Sequence, residues 1–371
     1  MTQTSIEGNW ILKSGLGTQL LPNTTITALT PKTRVAILLH EGIHGTHGKT
    51  GLAFLRYSET SIVAVIDYQA QGQSLSEVTK TPHDIPIVAN VAEALPYKPE
   101  VLLIGIAPSG GALPTAWWQD IENAIASGLS LVNGLHTPLA PKFPNLQPQQ
   151  WIWDIRQQPE GLGIGKAKAR SLACKRILTV GTDMAVGKMS TSLELYRAAL
   201  KQGINSQFLA TGQGGIAISG QGIPLDAIKV DFAAGAVEKM ALELGQNCDL
   251  LVVEGQGSLL HPGSTATLPL IRGSQPTGLI LVHRAGQKHI KDIPDVLIPP
   301  LPEVVQLYET VASAAGAFGK VPVQAISLNT FHLDTEQAQQ AISQVSDITG
   351  LPCTDPVRFG AVQILSKVIA L

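Results

Sequence analysis

Cysteine is scarce: three stand in 371 residues, at positions 174, 248 and 353, odd in number, far apart and without a C-x-x-C pair. That excludes a disulfide-built scaffold and predicts free buried thiols in a reducing compartment. Charge is thin as well. Only 15% of residues are Asp, Glu, Lys or Arg and the net charge is -2, so no basic field exists to draw nucleic acid or an anionic membrane, and small molecules are the expected partners. No apolar run reaches the length of a membrane span, and the opening MTQTSIEGNW lacks a basic-then-apolar signal, so the expected location is the cytoplasm. Nothing in the composition opposes a homo-oligomer. What the chain has in quantity is apolar side chains (44%), 36 glycines and 24 prolines. That is the make-up of a compact α/β enzyme rich in βα turns, at a length suited to two domains.

After a Thr-rich lead-in over residues 1–33, short apolar runs alternate with helical patterns. RVAILL, SIVAVID, IPIVAN, VLLIGIA and LSLVNGL read as strands, with a Gly-rich turn HEGIHGTHGKTG after the first, PSGG after the fourth and the helix LPTAWWQDIENAIASG before the last. Trp117 and Trp118 on that helix read as packing rather than a stacking platform. A Pro- and Gln-rich stretch over 140–175 reads as the connection between domains, with WIWDI able to add one strand. A second series then begins with RILTV. The fold class expected is α/β with two doubly wound parallel-sheet domains, Rossmann-like over 1–150 and P-loop NTPase-like over 151–371, each with its crevice at the carboxyl ends of the strands.

RILTVGTDMAVGKMSTSLELYRAAL carries the strongest local signal. A buried strand leads into a turn over 181–188 and then a helix. Gly181 and Gly187 let the turn through Thr182 and Asp183 curl so that its N–H groups face inward, the helix adds its positive end, and Lys188 supplies a mobile cation. Five residues separate the glycines instead of four, and Met189 stands where a hydroxyl usually holds Mg²⁺. A metal would therefore need Ser190, Thr191 or carboxylates: Asp183, Asp231, or Glu254 at the end of the strand DLLVVEGQGS. Asp231 and Glu254 read equally as caps of their own helix and turn. Gln213 in TGQGG faces the same crevice as a substrate contact or a turn residue. Asn329, ending AISLNT, reads an adenine edge or terminates its strand. His261 in SLLHP and His283 in LILVHR emerge at the carboxyl edge as candidate bases, although each alone reads more readily as a satisfied loop histidine, and Arg284 is placed to clamp a carboxylate.

His40-Glu41-Gly-Ile-His44 matches H-E-x-x-H in letters only, because Gly42, Gly45 and Gly48 oppose the helix that zinc chemistry needs. The segment with Gly48, Lys49 and Thr50 repeats the spacing of the 181–188 turn, with His44 and His47 inside it. It reads as a second anion loop, with Asp67 placed to meet a ribose hydroxyl, or as a tight turn without a ligand.

At GTDMAVGKMST and VVEGQGSLLHP the second half resembles dethiobiotin synthetase, a P-loop NTPase. The blocks GKTGLAFLRYS, IGIAPSGGALP, VGTDMAVGKMST, FLATGQGGI, DFAAGAVE, VEGQGSLLHP, HRAGQKHI, IPPLPEVVQLYE and TDPVRFG together resemble domain-of-unknown-function family 1611, associated with D-glutamate N-acetyltransferase. IPIVANVAEAL, VLLIGIAP and AIASGLSLV resemble the CoA-binding domain of succinyl-CoA synthetase. The family resemblance implies acetyl transfer from acetyl-CoA to the amine of a D-amino acid, D-glutamate leading. His261, Glu254 and His283 are then the candidate bases. The alternatives are an ATP- and Mg²⁺-dependent carboxylate-activating or phosphotransfer enzyme, and a nucleotide sensor without catalysis.

Overall fold

The computed structural model describes residues 29–45, 47–79, 81, 84–107 and 113–370. Most of the Thr-rich lead-in, Thr46 and the PSGG segment lie outside the described residues. The first sheet is made of runs apolar on both faces, as a covered parallel strand requires. β1 (Arg34–Leu38), β2 (Ser61–Ile66), β3 (Ile87–Val88), β4 (Val101–Ile104), β5 (Ser130–Asn133) and β6 (Ile152–Asp154) stand in the order β3-β2-β1-β4-β5-β6. All pairs are parallel. The helices α1 (Lys49–Tyr57), α2 (Leu75–Thr79), α3 (Val91–Ala94) and α4 (Thr115–Ala126) form the connections. The strand order reverses between β1 and β4, the Rossmann arrangement. WIWDI supplies the edge strand β6, so this sheet extends to residue 154, past the 150/151 boundary drawn from composition.

The second sheet comprises β7 (Lys175–Gly181), β8 (Ser206–Leu209), β9 (Leu250–Val253), β10 (Gly278–Arg284), β13 (Val323–Asn329) and β14 (Cys353–Thr354), in the order β14-β13-β10-β7-β9-β8. Between β10 and β13 a small antiparallel arm, β11 (His289–Ile290) and β12 (Ile293–Leu297), stands apart from it. α5 (Lys188–Lys201), α6 (Gln213–Ser219), α7 (Val230–Gly245), α8 (Thr267–Ser274), α9 (Leu301–Ala312), α10 (Thr335–Thr349), α11 (Pro356–Phe359) and α12 (Val362–Ile369) cover the two faces. Among the described residues no helix is long and apolar enough to cross a membrane. All three thiols are free, with Cys174 and Cys353 buried.

The core of the first domain reaches into the second, whose sheet also has apolar clusters of its own. The apolar cluster of the first domain takes in Leu193 of α5, Phe208 and Ala210 at the end of β8, and Ile216 and Ala217 of α6, and Met189 packs against it. Polar bonds rim this seam. Arg197 Nη2 donates to Tyr57 O at 2.6 Å, Arg156 pairs with Asp226 at 3.0 Å, and Gln213 Nε2 donates to Thr50 Oγ1 at 3.3 Å.

Candidate functional site

β9, β7, β10 and β13 are adjacent and parallel. Their carboxyl ends therefore deliver Glu254, the 181–188 turn, His283 with Arg284, and Asn329 to one edge. At its centre the turn leaves β7 and passes through Ala185 and Gly187, both at positive φ (55° and 117°), into α5. The amides of residues 185–190 donate to no protein acceptor among the described residues. That is the arrangement of an anion-binding nest at a helix start. Lys188 lies over it, buried, with Nζ donating to Asp183 O at 2.8 Å, and burial lowers its pKa to about 8.

Neighbouring side chains hold this turn in shape. Tyr308, fully buried on α9, donates its hydroxyl to Gly181 O at 2.7 Å and accepts the Leu259 N–H at 3.0 Å, linking the turn to the loop after β9. Asp183 is wholly buried. One oxygen accepts the Met184 N–H, and the other accepts Gln287 Nε2 at 2.6 Å and the Lys291 N–H at 2.7 Å. Its expected availability to a metal is thereby corrected: the carboxylate pins the arm to the turn. Asn329 is corrected too. Its Nδ2 donates to Val186 O at 2.9 Å and its Oδ1 accepts the Phe331 N–H, so its amide group is engaged in bracing the turn.

Glu254 is 4% exposed. Its Oε2 accepts the amides of Thr211 at 2.8 Å and Gly212 at 3.2 Å, so TGQGG and the β9 end share the crevice. A Cβ on Gly215 would fall 2.4 Å from that oxygen, which leaves glycine as the residue that makes room for the carboxylate. Burial raises the Glu254 pKa to about 7, although the two amides and Lys188 oppose the shift. His283 is buried with Nδ1 2.9 Å from Thr182 Oγ1, and burial lowers its pKa to about 4, so the imidazole is neutral at pH 7. His261 is farther along, in a tight turn where its Nδ1 accepts the Gly263 N–H at 3.0 Å.

Other expected residues are placed differently. Asp231 is exposed in the first turn of α7, where it complements the helix dipole, and is not gathered with the turn. Among the described residues no three His, Cys, Asp or Glu side chains come together as a metal cage. Thr191 Oγ1 is taken by Gly187 O and Ser327 Oγ, and Ser190 stands beside the Tyr57 hydroxyl at the seam. Met189 points away from the turn. Its sulfur sits 3.2 Å from where a Cβ on Gly214 would be, and it contributes packing between domains. Gln213 is likewise engaged at the seam, bonded to Thr50.

In the first domain Asp67 is corrected from ribose contact to loop anchor. Wholly buried, it accepts the amides of Glu41, Ile43 and Gln69, so the anion of this loop is the protein's own. Gly42 and Gly48 cross backbone to backbone, with no room for a Cβ on either. His40 is buried between Asp120, 2.8 Å from its Nε2, and the Tyr68 N–H at its Nδ1, and the segment is not helical, as the sequence required. Of this loop's expected ligand groups, Lys49 is exposed at the start of α1. Burial lowers its pKa, as do the charges of Lys291 and Arg284 from the second domain. Sequence reasoning missed Tyr308, Gln287, Lys291 and the Arg156–Asp226 pair. Each acts through a partner far along the chain, a relation that no local pattern carries.

Comparison with known proteins agrees with this fold. Residues 163–365 match the DUF1611 C-terminal P-loop domain model, and residues 68–158 match the DUF1611_N Rossmann-like domain model. A protein of Pseudoalteromonas named D-glutamate N-acetyltransferase is 35% identical over 284 residues, 75% of this chain and 84% of that protein. One of Tritonibacter scottomollicae with the same name is 37% identical over 283 residues, 73% and 82% of the two chains. The crystal structure of a DUF1611 family protein from Anabaena variabilis is 61% identical and superimposes with a TM-score of 0.89, over 92% of this chain and all of that one.

Proposed function

This chain belongs to the DUF1611 family, and we propose that it transfers the acetyl group of acetyl-CoA to the amine of a D-amino acid, with D-glutamate as the first acceptor to test. The observation that carries this reading is the pair of relatives named D-glutamate N-acetyltransferase, aligned along about three quarters of the chain. The site has the groups the reaction asks for. The amides of 185–190 and Lys188 take the diphosphate of CoA, since such a nest recognises charge and not the length of the phosphate chain. Glu254 is the base.

The acceptor enters as an ammonium and must first lose one proton to solvent. Its nitrogen then attacks the thioester carbonyl, forming the C–N bond and an oxyanion, and gives its second proton to Glu254. Collapse of the oxyanion breaks the C–S bond, and CoA leaves as a thiolate that takes up a proton. A carboxylate titrating near 7 is matched to that transfer. Neutral His283 is the donor at hand for the oxyanion.

The Mg²⁺-ATP reading has less support. Met189 is turned into the seam and both oxygens of Asp183 are engaged, so two positions that would hold the metal are committed elsewhere.

The test is thiol release from acetyl-CoA by the purified chain, with D-glutamate, L-glutamate and other D-amino acids as acceptors and no ATP. Release that depends on D-glutamate is expected. Glu254→Gln should bind CoA as before and lose about 10²- to 10⁴-fold in kcat, and Lys188→Ala should weaken CoA binding. ATP turnover that requires Mg²⁺ and ignores acetyl-CoA would overturn the proposal.

A further inference from the structure

Beside the 181–188 turn lies a cavity of about 270 Å³ that no part of the reaction above uses, lined by Met184, Arg284, Ala285, Gly286, Gln287, His289 and Lys291. Its wall is built deliberately. Asp183 fixes Gln287 and the Lys291 backbone against the turn, and Arg284 Nη2 reaches the Ala185 carbonyl at 3.4 Å. The buried Arg284 Nε has no hydrogen-bond partner among the described residues. Outside the cavity lining, Lys49 of the first domain has its pKa lowered by burial and by the charges of Lys291 and Arg284.

Two cations, Arg284 and Lys291, thus share this wall, with the charge of Lys49 in range of both. Asp292 is 3.8 Å from the Lys291 ammonium, but its side chain is 83% exposed. Asp183 already accepts three donors. Like charges gathered with so little counter-charge raise the energy of the fold, and an anion relieves it.

We propose that this pocket, with Arg284 and Lys291 as its donors, is a phosphate-monoester site that holds the 3′-phosphate of CoA while the adjacent turn holds the diphosphate. The assignment rests on the acetyl-CoA reading above and adds to it a discrimination that the turn alone does not provide. Dephospho-CoA and ATP both carry a diphosphate and both lack the 3′-phosphate.

Calorimetric titration of the full chain with CoA, dephospho-CoA and Mg²⁺-ATP tests it, with acetylation of D-glutamate followed in parallel. CoA is expected to bind on the order of tenfold or more tighter than dephospho-CoA, the range of a charged hydrogen bond. Lys291→Ala and Lys49→Ala, both at exposed side chains, should weaken CoA and leave dephospho-CoA unchanged, closing the gap. Equal affinity of the wild type for the two compounds would overturn the assignment, as would variants that weaken both compounds alike. Equal turnover of acetyl-CoA and acetyl-dephospho-CoA would remove the pocket with the reaction intact. A retained preference for CoA without acetylation of any D-amino acid would remove the reaction and leave the pocket.

Discussion

Glu254 and His283 are buried ionisable groups on strands either side of β7, and burial drives them in opposite senses. Glu254 titrates near 7 in place of its ordinary 4.5, so between those values the folded chain holds the extra proton and rising pH removes stability. His283 titrates near 4 in place of 6.5, so in that window the unfolded chain holds the extra proton and rising pH adds stability. The two slopes oppose one another. Melting temperatures of Glu254→Gln should therefore climb from about pH 4 to 6.5, and those of His283→Gln should fall from about 4.5 to 7. The wild-type curve should be flatter than either, and a wild-type profile as steep as a variant's would refute this account. Activity follows the ionised base, so kcat should rise through about pH 7 and level off.

At the scale of elements, the anion turn is shaped by its surroundings as much as by its own glycines. Asp183→Ala strands the Lys291 amide and leaves Gln287 Nε2 with the His289 carbonyl alone. A loss of about 1–3 kcal/mol is expected, together with faster hydrogen exchange over residues 287–291. Exchange unchanged in that segment would mean the arm is held by something else. The turn itself was legible because strand, glycines, lysine and helix follow one another within a few residues. The arm was not, since Pro294 and Asp295 mask a strand pattern and its anchor is a carboxylate some hundred positions earlier. Asp67 was misread for a related reason: a carboxylate at a strand end looks the same in sequence whether it meets a ribose or the amides of its own loop. Glu254 with TGQGG was correctly brought together, because adjacent parallel strands β8 and β9 leave little choice of partner.

For the whole molecule, the shared apolar cluster predicts that the two sheets unfold together. Ile216→Ala removes a side chain that is 3% exposed within that cluster, and about 2–5 kcal/mol should be lost. Denaturant unfolding of both wild type and variant should show a single transition by fluorescence and circular dichroism alike. Two separated transitions would show that the seam is weaker than its burial implies. The alternation of strands and helices foretold two parallel sheets. It said nothing of the seam, which is assembled from residues that each read as ordinary core of their own half. Met189 is the instructive case: it departs from the metal-binding pattern of its turn and fills space against the neighbouring domain.

That commitment bears on how such a protein can change. Were the rear half exchanged for one taken from a magnesium-using nucleotide hydrolase, a small hydroxyl would arrive where a thioether now plugs the joint, and the graft would leak before its chemistry was ever tried. The halves are therefore not interchangeable modules, and a successful transplant would have to carry its own matching partner surface with it.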